Sequence, residues 1–252
     1  MRSKDTAAVV TGSSSGIGKA IAIRLLREGY KVALNYAADD ERAAATLSEC
    51  RLISPDVILL KADIGSADAA VSMIEQALET FGRIDVLVNN AARVIDRPAL
   101  EMTEAEWDKV LDVNLKGAFI VAQRAARQMI TQEEGGIILN IGASTGIRGR
   151  RNGVNTCASK AALMIMTQCL ALELAPKIRV NTIIPGFVMT EETESRFGLT
   201  DPDVRSKRLE AVPLGRLGHP EDVADAVMLM LAPSARFITG QKIVVDGGQN
   251  MW

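Results

Sequence analysis

The chain has 252 residues, 48% of them hydrophobic and 24% charged, enough apolar material for one domain, residues 1–252, built on a sheet buried on both faces. A formal net charge of -2 and an aromatic content of 4% give no electrostatic footprint for nucleic acid or an anionic membrane, and few rings on which bases could stack. Neither class of partner is expected.

In chain order, apolar strand-like runs alternate with helical patterns, the signature of repeated βαβ units. Strands are predicted at Ala7–Thr11, Lys31–Tyr36, Val57–Lys61, Val86–Asn89, Gly136–Ile141, Ile178–Ile184 and Lys242–Val245. Each is short and rich in Val, Ile or Leu, as strands of a parallel sheet covered on both faces must be. Helices are predicted at Gly16–Glu28, Asp40–Cys50, Ala67–Phe81, Glu104–Met129 with a bend or break near Asn114, Asn155–Ala175 and Pro220–Leu231. Thr103-Glu104-Ala105-Glu106 reads as a capping box, and Pro220 stands at a first helical position followed by the acidic Glu221 and Asp222. Between Pro185 and Leu214 the periodicity is weak and polar residues cluster, which marks a candidate substrate lid beyond a strand end.

Cys50, Cys157 and Cys169 are odd in number and lack C-x-x-C spacing, which argues for reduced thiols and against a disulfide framework or a metal site. Cys169 falls in an apolar helical run and is read as a small core residue. The polar start, Met1 to Thr6, does not fit a signal peptide, and no apolar run is read as long enough to cross a bilayer. A cytoplasmic protein is expected.

The first strand leads straight into Thr11-Gly12-Ser13-Ser14-Ser15-Gly16-Ile17-Gly18 and then a helix. Glycines at these positions allow a tight turn, approach of backbone to a pyrophosphate, and close helix–strand packing, while the helix start offers unpaired amides to the phosphates. The pattern implies a Rossmann-type, doubly wound α/β domain that binds a dinucleotide, with a seven-stranded parallel sheet and helices on both faces.

Further motifs follow in order: Asp63 after the third strand, Asn89-Asn90-Ala91-Ala92, Asn114 in Asp112-Val113-Asn114-Leu115, Pro185 to Thr190, and Val245-Asp246-Gly247-Gly248. Together with the glycine motif they resemble the short-chain dehydrogenase/reductase family over essentially the whole chain, nearest its 3-oxoacyl-acyl-carrier-protein reductase and glucose dehydrogenase branches. The resemblance implies a nicotinamide dinucleotide held by Thr11, Gly12, Ser14, Ser15, Gly16, Ile17, Gly18, Tyr36, Asp63, Ile64, Asn89, Ala91, Lys160, Pro185, Gly186, Val188 and Thr190, with Asp63 at the adenine. It also implies a homotetramer or a mixed oligomer with a related chain, using the last strand and the Lys160 helix, with Phe237-Ile238-Thr239-Gly240 and Met251-Trp252 compatible with such contacts. The carboxylate that would repel a 2′-phosphate is replaced by Tyr36, and Ser15 stands where many NADP users carry arginine. NAD and NADP both remain open, with a lean to NADP.

The same resemblance implies a catalytic asparagine, serine, tyrosine and lysine. Asn114 and Lys160 match. The tyrosine position, four residues before Lys160 on one helix face, holds Thr156, and the serine position thirteen residues earlier holds Ala143. The only two tyrosines, Tyr30 and Tyr36, lie near the adenosine half. An alkyl hydroxyl has a pKa nearer ~15 than the ~10 of a phenol, roughly 7 kcal/mol of lost acidity, and losing a positioned general acid costs ~10²–10⁴ in rate. Ser144 is a substitute only where the strand end is bulged. Cys157 points elsewhere on the helix, and His219, the single histidine, is read as flanking a helix start. Arg148, Arg150 and Arg151 crowd the mouth of the site, either to hold an anionic substrate or as a solvated basic loop.

Three readings stand: an oxidoreductase acting on a small carbonyl or alcohol with a rearranged or impaired active site, a catalytically silent NAD(P)-binding regulatory or partner subunit, and a non-redox enzyme on the same fold.

Overall fold

The computed structural model describes residues 5–251; Met1 to Lys4, and Trp252 of the expected C-terminal contact, lie outside them. Seven short, branched-aliphatic strands pair in parallel: β1 (Ala7–Val10), β2 (Lys31–Tyr36), β3 (Val57–Lys61), β4 (Val86–Asn89), β5 (Gly136–Ile141), β6 (Ile178–Pro185) and β7 (Lys242–Val245). Their order is β3-β2-β1-β4-β5-β6-β7, so the winding reverses between β1 and β4, where a crevice opens beyond the carboxyl ends of the strands.

Alternation along each strand divides the core into two layers. Ala8, Val10, Val32 and Leu34 pack under α1 (Gly16–Arg27), α2 (Asp40–Arg51) and α9 (Pro220–Leu231). Val9, Ala33, Leu87 and Ile138 face α3 (Ala67–Phe81), α5 (Ala118–Thr131) and α6 (Val154–Leu174). The expected strands and principal helices are therefore present, with ends shifted by a residue or two.

The helix expected over Glu104–Met129 is divided. α4 (Glu104–Leu111) passes through a π-helical turn, Asp112–Gly117, into α5. The wide turn accommodates Asn114, whose buried amide is bound to the backbone of Arg93; such turns often mark functional positions. The capping box forms as read, with Glu106 N donating to Thr103 Oγ1 at 3.2 Å and Thr103 N to Glu106 Oε2 at 3.1 Å. His219 is the N-cap of α9, and its amide donates to Asp222 Oδ2 at 2.7 Å.

The weakly periodic stretch after β6 contains two helices that the sequence pattern does not reveal, α7 (Glu191–Phe197) and α8 (Pro202–Glu210). Neither has a fully buried residue, so no apolar stripe announces them. Local caps start them instead: Thr190 Oγ1 accepts from Thr193 N, and Asp201 Oδ1 from Asp203 N. A small separate core of Leu199, Val212 and Leu217, with Phe187 and Phe197 against it, holds the segment together.

Two expectations about α6 are corrected. Cys169 is exposed rather than buried, and the 21-residue helix, with a mean hydropathy of 1.3 over its most apolar window, is long and apolar enough to cross a membrane by length and composition. Both have one cause. The helix is apolar on its outer side as well as its inner one, leaving Ile165 60% and Leu172 83% exposed, so periodicity does not tell which side is covered. The covered side is the more polar one, carrying Asn155, Thr156, Ser159, Lys160 and Thr167.

A buried polar staple fixes that side to the sheet. Asn89 Nδ2 on β4 donates to Asn140 Oδ1 on β5 at 3.0 Å, and Asn140 Nδ2 donates to Thr167 Oγ1 on α6 at 2.8 Å. Thr182 Oγ1 on β6 donates to the same Thr167 oxygen at 2.8 Å, which passes its own hydrogen to Leu163 O at 2.9 Å. Replacing Thr167 with the isosteric valine would strand two buried donors. We expect Thr167→Val to cost about 2 kcal/mol or more of unfolding free energy in urea titration, with the native circular dichroism spectrum retained.

Candidate active site

The turn after β1 is built around backbone contacts that exclude side chains. Gly12 has φ +60°, and a Cβ there would lie 2.7 Å from Ala91 Cα. A Cβ on Gly18 would fall 2.3 Å from Gly12 O and 2.5 Å from Asn90 Nδ2. Two asparagines that the sequence reading did not single out as site residues brace the turn. Asn35 Oδ1 accepts from Gly12 N at 3.1 Å, while Asn90 Nδ2 donates to Thr11 O at 3.0 Å and Gly12 O at 2.9 Å. A fully polar side chain among the buried residues of β2 was the available signal for Asn35. Thr11 Oγ1 accepts from the amides of Asn90 and Ala91, both at 3.0 Å.

Ser15 caps α1 without a side-chain hydrogen bond to the helix, so the first-turn amides face the loop Ser13–Ser15 with the positive helix end behind them. Close backbone packing at Gly12 and Gly18 and the open backbone at Gly16 form the cradle that a pyrophosphate requires, and Asn89 Oδ1 at the end of β4 is buried without a protein partner among the described residues. These residues fit a dinucleotide.

At the adenosine end, Tyr36 and Lys61 are register partners on β2 and β3. Tyr36 OH donates to Asp40 Oδ1 at 2.7 Å, and Lys61 Nζ donates to both oxygens of Asp40 at 2.7 and 2.8 Å. Hydrogen bonds from Lys61 and Tyr36 hold the Asp40 carboxyl below its ordinary value. Asp63 accepts from Gly65 N at 2.9 Å and pairs with Arg93 at 3.3 Å. Buried Ile64 presents its carbonyl to Gly117, where a Cβ would lie 2.2 Å from that oxygen.

At the other end of the crevice, Lys160 is buried and donates to Ile141 O at 2.7 Å. Burial alone pulls its pKa down to about 8, because no carboxylate compensates the loss of water. Thr156, also buried, turns back on its neighbour: its N donates to Asn155 Oδ1 at 2.6 Å and its Oγ1 to the same oxygen at 3.3 Å. Asn155 in turn reaches Ile95 O through Nδ2 at 3.2 Å, a bracing role not expected from sequence. Asn114 joins this group through Nδ2, donating to Ser159 Oγ at 3.1 Å, and Ser159 Oγ donates to Thr156 O at 2.9 Å.

Ala143 is extended, with φ -159° and ψ 149°, and Ser144 opens a short 3-10 turn after it. The regular conformation of Ala143 is not that of a bulge, so Ser144 is not brought into the Ala143 position. Of the other candidates, Cys157 is half-buried and His219 is committed to its helix start.

Pro185, Gly186, Val188 and Thr190 carry the chain from β6 over the crevice. Gly186 N donates to Val245 O at 2.9 Å, Val188 bridges Gly218, and the Thr190 methyl would meet a Cβ on Gly16 at 3.2 Å. The start of the lid is thus set against the glycine turn. Farther out, Asp96 pairs with Arg150 from the β5–α6 loop and with Arg196 from α7.

Residues 12–250 match the family model described as enoyl-(acyl carrier protein) reductase. The chain is 40% identical over 245 residues to the 3-oxoacyl-[acyl-carrier-protein] reductase FabG of Staphylococcus aureus strain Mu50, covering 97% of this chain and 98% of that one. It is 38% identical over 247 residues to the 3-oxoacyl-[acyl-carrier-protein] reductase of Synechocystis, covering 97% of each. Among solved structures, the short-chain dehydrogenase/reductase of Brucella melitensis described as glucose/ribitol dehydrogenase superposes with a TM-score of 0.90 at 34% identity over 98% of both chains. A short chain dehydrogenase from Bacillus anthracis gives 0.88 at 31% identity, covering 99% of this chain and 98% of that one. The matches span nearly the whole chain, and this chain is accordingly a member of the short-chain dehydrogenase/reductase family.

Proposed function

We propose that this chain binds NAD(P)(H) as a single domain and is an oxidoreductase whose carbonyl/alcohol hydride transfer is impaired by the loss of its proton donor. The observation that carries this reading is the pairing of an intact glycine cradle with Thr156, whose hydroxyl is turned onto Asn155, and Ala143, which has no hydroxyl. Thr11 to Gly18, Asp63, Asn89, Ala91 and Thr190 would hold the nucleotide, which when bound supplies the hydride. Lys160 places a cation at the end of β5, and Asn114 fixes the first turns of α6 through Ser159. None of these groups supplies a phenolic proton to a developing alkoxide.

The preferred nucleotide is NADP(H). Tyr36 adds no carboxylate at the end of β2, and the nearby Asp40 is already neutralised by Lys61. The substrate class is a small carbonyl or alcohol, in keeping with relatives named 3-oxoacyl-[acyl-carrier-protein] reductase. A second reading, a silent subunit paired with a related active chain in the cytoplasm, is favoured by the exposed apolar side of α6 at Ile165, Cys169 and Leu172.

NADPH and NADH titrated by fluorescence should both show saturable binding, with NADPH the tighter. Across a panel of ketones, Ala143→Ser/Thr156→Tyr should turn over about 10²-fold or more faster than the parent. An unchanged rate in the double variant, or no nucleotide binding, overturns the reading. Parent turnover that disappears in Ser144→Ala would assign the proton to Ser144 instead.

Lys160 gives an independent pH signature. Its folded pKa, about 8, lies below that of the unfolded chain, so folding releases its proton between the two values and stability rises with pH across that window. The unfolding free energy of the parent relative to Lys160→Met should increase by about 3 kcal/mol between pH 8 and pH 10.5, measured by urea denaturation. A pH-independent difference would place the lysine in water.

A further inference from the structure

Outside the hydride-transfer position, one cluster at the rim of the crevice is built for a ligand. Asp96 lies in the loop after β4, and its backbone is fixed by neighbours on both sides. Ile95 O accepts from Asn155 Nδ2 at 3.2 Å, and Arg97 N donates to Asn152 O at 2.8 Å. Those bonds place Asp96 against the start of α6, immediately ahead of Thr156. They also mean that the carboxylate can leave its partners without the loop moving.

Its partners come from two other segments. Arg150 Nη2 donates to Asp96 Oδ1, while Arg196 donates to Asp96 Oδ2 through Nε at 3.2 Å and through Nη2. One guanidinium belongs to the β5–α6 loop and the other to lid helix α7, so each oxygen of a single planar carboxylate is held by a different wall of the crevice. Arg196 thus aims two donors at one oxygen and Arg150 one donor at the other, charge-assisted bonds that any carboxylate in this place accepts.

Charge and exposure favour exchange. Two cations converge on one anion, and the further Arg151 lies in the same loop. Arg196 also pairs with Glu192 at 4.0 Å. The side chains of Asp96, Arg150 and Arg196 are 33%, 21% and 26% exposed, so a dissolved anion has access to all three. Burial works against the Asp96 charge, yet the two guanidiniums keep its carboxyl below the ordinary range. The clamp therefore holds a charged carboxylate.

We infer that Arg150 and Arg196 form a binding site for the acid group of an anionic carbonyl compound, an oxo acid, and that Asp96 is its resident occupant. The inference rests on the reading of the crevice as a carbonyl site. An incoming carboxylate takes over the bridge between the β5–α6 loop and α7 and so keeps the lid tied down while its carbonyl end extends toward Lys160. Asp96 lowers the apparent affinity by occupying the clamp itself, as any competing closed state does.

The test is isothermal titration of the full chain with acetoacetate, its neutral methyl ester and inorganic phosphate, with NADPH binding measured separately. Acetoacetate should bind and the ester should not. Asp96→Asn should tighten acetoacetate by about tenfold, and Arg150→Gln or Arg196→Gln should abolish its binding. In the parent chain, acetoacetate should also protect Arg150 and Arg196 from phenylglyoxal, read by peptide mass mapping, which needs no variant to fold. Equal binding of acid and ester, unchanged affinity in Asp96→Asn, or absence of protection overturns the inference. Phosphate binding as tightly as acetoacetate with the same arginine dependence overturns the carboxylate assignment. Loss of NADPH binding with acetoacetate binding intact would fault the nucleotide reading and leave the clamp standing.

Discussion

Backbone meeting backbone at the reversal point of the sheet is the constraint from which the rest follows. Gly18 lies so near the carbonyl of Gly12 and the amide of Asn90 that only a hydrogen fits between them. That contact sets α1 directly over the ends of β1 and β4, aims its first-turn amides into the crevice, and brings Asn90 to bear on the turn. Asn35 and Thr11 then satisfy the polar groups that so tight a turn would otherwise bury unpaired. Binding geometry here is a property of packed main chain, and it survives changes in the side chains farther along the crevice.

Those changes separate two capacities that usually travel together. Holding a nucleotide depends on glycines, helix ends and buried asparagines, whereas delivering a proton depends on one acidic group at one position. On the proposed reading, Thr156 and Ala143 remove the second capacity without touching the first. Lys160 is left as a buried cation whose hydrogen-bond partner among the described residues is a main-chain carbonyl, and the desolvation it suffers is a cost to the fold.

Much of this was legible in the sequence because it is periodic or compositional. Branched aliphatic runs gave the strands, the spaced glycines located the turn, and Thr103 with Glu106 marked the start of α4. Lys160 gave the reference from which Thr156 could be placed. What stayed hidden depends on contacts between distant segments. Helices α7 and α8 bury too little to carry an apolar stripe. Cys169 sits on a helix whose exposed side is apolar and whose covered side carries most of the polar residues, so periodicity pointed to the wrong side as the one that meets the sheet. Asn155 is unremarkable in one dimension, and only the folded chain shows it joining the loop after β4 to the hydroxyl of Thr156. The Asp96 bridge likewise links segments separated by 54 and 100 residues.

The polar staple at Thr167 has one more implication. Thr167 and Lys160 are seven residues apart and so share a side of α6, with the threonine tying the helix to β5 and β6 at a point set back from the crevice. Lys160, Ser159 and Asn155 moor the other half of the helix to β5, to Asn114 and to the loop after β4. The helix is thus held along its whole covered side, and the loss of any one tether leaves the others to keep it in register with the sheet.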